Sequence, residues 1–499
     1  MIIDTYFNNS HSIFNRRNSS FSYYNYFFLF SLCSIFLLTL LINEHEAQLL
    51  LNLCGAFIFC LLFIIIYFIT GRLNINYQRI LIISLSIRII VLLIITLFPP
   101  EYTRAYVNVP AIFPDEVYYT ERAMAWSKYS IFVLHPSDQY EYVIAYMSII
   151  YKLFGLNVLW IRLSHVLFGV LTSVLIYYTA SLHLSKRGLK VSFWIAALLP
   201  NLVMWSSVML KEAIFILGIS LLVASAARLC INCRQSVTIL FLLLGGIVVI
   251  TLRAFAIIFA LFPFVLIFYI NKKHLLRKGL LILSVLVFLI IIIPKAFNDF
   301  KRRLEYYGDS LDPLTSVNIV VDKTEWQEHF SPIAKYLMQS NHFIQVIGYP
   351  VLLLVSPTHT AMTSFLKQLG DRTFWTSWMT ASLAISWWLC LPLLIGGIIM
   401  SIKDKNVFWL TIGISFIIWF ILSSYGRGLT SESVRLREHF AVFYILLTCK
   451  GIDSIMNKNI NEKKKWFLIL ELYYIILFVS STLYTWRDQI FKLFTIFSR

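Results

Sequence analysis

The feature that most constrains this chain is a succession of apolar runs, many at or near the ~20 residues that an α-helix needs to cross ~30 Å of hydrocarbon. They lie near 22–43, 48–70, 79–98, 157–181, 191–207, 209–228, 236–252, 254–270, 278–295, 376–400, 407–423, 438–451 and 466–484. They do not alternate in polarity as the strands of a membrane barrel do. Only helices and closed barrels satisfy every backbone group in lipid. The expected fold is therefore an all-α polytopic membrane protein, a bundle of about 13 transmembrane helices. Composition agrees: 13% of residues are charged, against roughly 25% in a soluble domain.

The net charge of +17 does not point to nucleic acid, because the basic residues sit in short loops between the runs. With Arg16 and Arg17 in the cytoplasm, the positive-inside rule is met by several loops. These carry Arg72 and Arg79; Lys186, Arg187 and Lys190; Arg228 and Arg234; Lys272, Lys273, Arg277 and Lys278; Lys403 and Lys405; and Lys458 with Lys463–Lys465. The short loop around Asn43–Gln48 holds no Lys or Arg, whereas Arg487, Lys492 and Arg499 in the tail run against the rule. The same parity excludes the run 342–357, with Gly348-Tyr349-Pro350 in its middle, as a full span. It is expected to lie in the interface or to re-enter the membrane.

Four segments follow. Residues 1–78 are a cytoplasmic tail and two accessory spans. Residues 79–295 are a transmembrane core with a first outer loop, 99–156. Residues 296–375 are a second outer region, with Tyr306-Tyr307 and Trp326 expected over a cleft. Residues 376–499 are C-terminal spans. The first run begins near Phe21, is as long as a span and lacks a small-residue cleavage site, so no signal peptide is expected. The Cys230/Cys233 pair stands alone and is too small a set for a zinc site.

Polar chemistry concentrates on the outer side. Asp115-Glu116 follows the third run, inside Phe113-Pro114-Asp115-Glu116-Val117-Tyr118-Tyr119. Glu116–Ser130 and Tyr142–Phe154 have helical spacing and are expected to lie on the membrane surface with aromatics at headgroup depth. Lys211-Glu212 stands at the next outer hairpin, Arg253 at the one after, and Arg427, Arg435, Arg437 and His439 at a later one. Ionisable groups at such depths are paired or functional. The blander reading makes Asp115 a loop acid, Lys211 and Arg253 snorkelling flanks, and Arg435 and Arg437 juxtamembrane charge. Arg88, inside the third run, is expected to be a buried structural partner. Sugar transfer from a lipid phosphate needs a carboxylate to take the acceptor proton and fixed cations to stabilise the leaving phosphate.

From about Arg79 to Leu222 the order of motifs resembles the shared half of the GT-C superfamily of membrane glycosyltransferases, which includes protein O-mannosyltransferases and aminoarabinose transferases. The resemblance runs through Asp115-Glu116-Val117-Tyr118-Tyr119, His135-Pro136-Ser137, Leu153-Phe154-Gly155-Leu156-Asn157, Arg162, Gly169, Leu171-Thr172 and Tyr177-Tyr178. It continues in Leu199-Pro200-Asn201, Trp205-Ser206-Ser207 and Lys211-Glu212. Ser137 and Asp138 stand where the family has Pro-Leu, and the chain beyond Gln235 carries no likeness of this kind.

The resemblance implies a GT-C-like bundle and an inverting glycosyltransferase. It would move a sugar from a polyprenyl-phosphate donor to a glycan, lipid or protein acceptor on the non-cytoplasmic face. The basic short loops, the expected lack of a signal peptide and the Ile/Phe/Asn-rich usage point to a bacterial inner membrane. It implies Asp115 as base, with Glu116 orienting it, binding acceptor, or joining it at a divalent ion where one is used. Lys211, Arg253, Arg435 and Arg437 would hold the donor phosphate, and Tyr118, Tyr119 and His135 would contact substrate. No other metal or cofactor is implied. The alternatives are a polymerase or ligase acting on lipid-linked oligosaccharide, and a transporter or flippase of lipid-linked sugars. A transporter should place ionisable groups and broken helices near mid-membrane in paired halves; here most charges lie at one rim.

Overall fold

A computed structural model describes residues 20–41, 46–73, 75–97, 114–128, 141–231, 235–253, 256–270, 374–404, 406–425 and 440–497, with isolated positions between 340 and 354. Among the described residues the chain is helical throughout, with no strand. The helices are α1 (Ser20–Leu41), α2 (Glu46–Leu73), α3 (Ile75–Leu97), α4 (Pro114–Ser127), α5 (Glu141–Phe154), α6 (Val158–His183), α7 (Lys186–Leu198) and α8 (Pro200–Trp205). After them come α9 (Glu212–Cys230), α10 (Gln235–Arg253), α11 (Ala256–Ile270), α12 (Phe374–Lys403), α13 (Val407–Tyr425), α14 (Ala441–Met456) and α15 (Ile460–Phe497).

Seven stretches among the described residues are long and apolar enough to cross a membrane: Asn52–Arg72, Ile75–Leu97, Val158–His183, Lys186–Trp205, Glu212–Cys230, Gln235–Arg253 and Ser382–Lys403. Shorter apolar helices cover Tyr23–Thr39, Tyr142–Phe154 and Val407–Ile421. The chain is thus an all-helical membrane protein by length and composition, but the expected total of about 13 spans is not reached among these residues. Several expected spans fall short for local reasons. The run 278–295 lies outside the described residues. Helix α14 has 16 residues and includes Lys450 and Asp453. The run 342–357 is described only at isolated positions, one of which, Leu354, accepts a hydrogen bond from Trp387 Nε1 at 3.1 Å.

Short turns aim the helices. Helix α5 stops at Gly155, whose φ of 85° is cheap only for a residue without Cβ. Two residues later Asn157 caps α6 by accepting the Leu159 N–H at 2.9 Å, which satisfies one of the orphan donors of that helix end. Pro200 opens α8, where its missing N–H costs nothing.

Among the described residues the core is shared by N-terminal and C-terminal helices. Helices α6 and α9 are largely buried, and every residue of α14 from Ala441 to Gly451 is buried. Helices α12 and α14 cross at glycines: a Cβ on Gly397 would sit 1.9 Å from Leu447 O, and one on Gly451 would sit 2.0 Å from Leu393 O. Asn201 Nδ2 donates to Tyr444 Oη at 2.6 Å, so the C-terminal helices dock on the N-terminal ones. Helices α1 and α2 pack on one flank, where Phe28, Ile35, Phe59 and Phe63 meet Leu85 of α3 and Trp160 of α6 in a second apolar cluster.

The described basic loops meet at one end of this bundle. Asp453 accepts from Ser185 Oγ and, at 3.2 Å, from Gly188 N–H, so a carboxylate from α14 caps α7 and faces its positive dipole end. Arg187 Nη1 donates to Met456 O at 3.0 Å. Lys450 pairs with Asp404 at 2.5 Å, and the His183 ring stacks on Phe408 at 4.0 Å.

The glycine crossing makes a direct prediction. Gly397→Val is expected to destabilise the protein by at least the 1–3 kcal/mol usual for overpacking. Gly396→Ala should be neutral, because the nearest atom to its Cβ is the Trp466 ring at 3.8 Å. Thermal unfolding in detergent measures both, and equal losses would show that the crossing is not the constraint.

Candidate functional site

The rim opposite the basic loops is built around six residues, 206–211, that link α8 to α9 without helical structure. Sequence spacing places a hairpin here, but a buried one: Ser207, Val208, Met209 and Leu210 are fully inaccessible. Buried backbone that leaves the helix is tolerated only where protein groups satisfy it. We call this segment the elbow.

Side chains from several helices supply its partners. From α3, Arg88 Nε donates to Ser206 Oγ at 2.7 Å. From α6, His165 Nδ1 donates to Val208 O at 2.6 Å. From α4, Glu116 Oε2 accepts the Met209 N–H at 3.1 Å. The same Glu116 oxygen lies 4.0 Å from Arg162 Nη2, and both side chains are buried. Arg162 and His165 stand one turn apart on α6, so they share a face. The His165 ring stacks with Tyr146 of α5, centroids 6.0 Å apart.

A second ion pair adjoins the elbow. Glu212, in the first turn of α9, accepts from Arg253 Nη2 at 2.9 Å, and this pair is buried too. The Arg253 guanidinium lies over the Phe215 ring at 5.4 Å, a cation–π contact. Its Nε is buried with no hydrogen-bond partner among the described residues. Lys211 stands between the elbow and Glu212, at the N-cap of α9.

The expected site residues divide among these positions. Asp115 and Glu116 fall in the first turn of α4, behind Pro114, where acids suit the helix dipole; the Asp115 side chain lies outside the described residues. Tyr118 is on the surface beneath Arg122, whose guanidinium is 4.8 Å from its ring. Tyr119, expected to touch substrate, packs into the apolar core at 1% exposure. His135, Arg435 and Arg437 lie outside the described residues. Arg88 is the structural partner expected: beyond Ser206, it donates to Ser84 O at 3.0 Å, Ser173 Oγ at 3.2 Å and Ala197 O at 3.4 Å. Its backing is close, since a Cβ on Gly169 would fall 2.7 Å from Arg88 Nε. At Glu116, Oε2 accepts the Met209 N–H and lies 4.0 Å from the Arg162 guanidinium.

The sequence reading singled out neither the Glu116–Arg162 pairing nor His165. The usable signal was the i, i+3 spacing of Arg162 and His165 in an otherwise apolar span, which marks a buried polar face. The site thus gathers carboxylates, guanidiniums, an imidazole and a lysine at one rim, able to take up a proton and to hold an anion. Comparison of the chain with protein-family models, curated proteins and solved structures gave no match.

The Glu212–Arg253 pair yields a stability prediction. Glu212→Ala strands a buried guanidinium and is expected to cost about 3–5 kcal/mol. Adding Arg253→Met should recover a large part of that loss, since the stranded charge is then removed. A double-mutant cycle on thermal unfolding measures the coupling; additive losses would mean the pair is not coupled.

Proposed function

We propose that the protein is a glycosyltransferase of the GT-C type that transfers a sugar from a polyprenyl-phosphate donor to an acceptor at the elbow rim, facing away from the cytoplasm. The observation that supports this reading is the meeting of Glu116, Arg162, His165, Lys211, Glu212 and Arg253 around one buried, non-helical elbow. The motif order in the sequence adds to it, because Glu116, Arg162, Ser206-Ser207 and Lys211-Glu212, which carry part of the resemblance, stand at or beside the elbow.

On this reading Asp115 takes the acceptor proton. It is the neighbour of Glu116, which α4 anchors to Arg162 and the elbow. Lys211 supplies a point charge and Arg253 a fork whose Nε still has a proton to give. Such fixed cations stabilise charge on a departing phosphate without reorganising as the reaction proceeds. Arg435 or Arg437, which lie outside the described residues, is assigned as a second clamp by the resemblance alone. The GT-C-like bundle, the polyprenyl donor and the placement in a bacterial inner membrane belong to this proposal.

The test is transfer from polyprenyl-phosphate sugars by the purified protein in nanodiscs. Asp115→Asn should reduce kcat by the 10²–10⁴-fold usual for loss of a general base, with thermal stability unchanged. Lys211→Met should act chiefly on donor binding, raising the donor KM. An Asp115→Asn enzyme with full activity rules out its role as base. Lipid-sugar translocation by vesicles without any transfer would favour a transporter.

A further inference from the structure

His165 is the buried polar group at the rim that the proposed reaction leaves unused. It is fully inaccessible. Its Nδ1 faces Val208 O at 2.6 Å. A carbonyl oxygen can only accept, so Nδ1 carries a proton, and a neutral ring so held presents Nε2 as a bare acceptor. Nε2 is buried and has no hydrogen-bond partner among the described residues. The ring cannot turn to find one without giving up the elbow carbonyl and its stacking on Tyr146. A buried acceptor without a donor is unfavourable, and that cost is removed when a ligand brings the donor.

We infer that His165 Nε2 receives a hydrogen bond from a hydroxyl of the bound sugar, and so distinguishes a sugar-bearing lipid phosphate from the bare lipid phosphate. This rests on the proposed reading of the rim. The chemistry separates the two parts of the donor. A phosphate near neutral pH is an acceptor and suits Arg and Lys, not a lone-pair nitrogen. A sugar hydroxyl is a donor and suits Nε2. Arg162, one turn away on α6, is already engaged with Glu116. The donor is thereby oriented, with its phosphate toward Lys211 and Arg253 and its sugar toward α6.

Two substitutions divide the two nitrogens. The amide of His165→Asn can replace Nδ1–H at Val208 O but leaves nothing at the Nε2 position. His165→Gln reaches the Nε2 position and gives up the contact with Val208 O. The probes are undecaprenyl phosphate and a panel of undecaprenyl-phosphate monosaccharides, titrated against the full chain in nanodiscs. Wild type should prefer one of the sugar-bearing lipids. His165→Asn should keep wild-type thermal stability and affinity for the bare lipid, and should lose about three- to tenfold in affinity for the sugar-bearing one, the value of one neutral hydrogen bond. His165→Gln should lose stability and keep the preference. If His165→Asn keeps the full preference, the inference falls and the functional reading stands. If His165→Gln loses the preference, the imidazole is only a brace for the elbow and the inference also falls. If wild type prefers no sugar-bearing lipid over undecaprenyl phosphate, the functional reading itself fails, and this inference with it.

Discussion

Buried backbone that leaves the helix must find its hydrogen-bond partners inside the protein, and residues 206–211 are where this chain meets that demand. Helices satisfy their own N–H and C=O groups; the elbow does not. Two of its backbone partners are side chains that would otherwise be expensive in an apolar bundle, a carboxylate and an imidazole, and a guanidinium holds the Ser206 hydroxyl. Each is then a second liability, because buried charge must itself be paired. Glu116 is placed beside Arg162, and Arg88 is surrounded by serine hydroxyls and carbonyls. The polar rim is thus a chain of mutual obligations that begins with a few residues of irregular backbone.

Those obligations can be met only if the helices carrying them are held in fixed register. Much of that register is set by close backbone approach. Gly397 and Gly451 let α12 and α14 touch, and Gly169 lets Ser206 and Arg88 reach α6. At the other end, Asp453 caps α7, the helix that leads into the elbow. The C-terminal helices therefore brace the rim through α7 without contributing a described residue to the site. This explains how a C-terminal half with no motif in common with the resembled family can still be needed for the geometry of the first.

The fold was legible in the sequence because hydrophobic runs report directly on helices in lipid. Twelve of the expected runs overlap helices among the described residues, and seven stretches there are long and apolar enough to cross a membrane. The Gly155–Asn157 turn was legible as a motif, and the structure gives its reason in a positive φ and an N-cap. The site was legible only in part. Asp115-Glu116 and Lys211-Glu212 stood out as acids and bases beside apolar runs, but their partners are far away in sequence: Met209 for Glu116 and Arg253 for Glu212. No local pattern encodes such pairings. Tyr119 shows the converse error, an aromatic beside the acids that turns into the core. An α-helix puts consecutive residues on different faces, so proximity in sequence to Asp115 carries little information about a shared surface.

Whether paired charges at the rim serve structure or chemistry depends on what the pairing leaves over. A guanidinium whose donors are all consumed is a brace, and Arg88 approaches that state: Nε and both terminal nitrogens are bonded within the bundle. Arg253 differs. One terminal nitrogen is fixed by Glu212 while Nε stays buried without a hydrogen-bond partner among the described residues. The carboxylate then orients the fork without exhausting it. His165 follows the same logic with the opposite sign, one nitrogen giving its proton to the elbow and the other keeping a lone pair. Preorganisation of this kind costs folding energy, because unmet polar atoms are buried before any ligand arrives. On the proposed reading that cost is offset when a ligand offers an acceptor to Arg253 and a donor to His165, the roles assigned to the phosphate and a hydroxyl of a lipid-linked sugar.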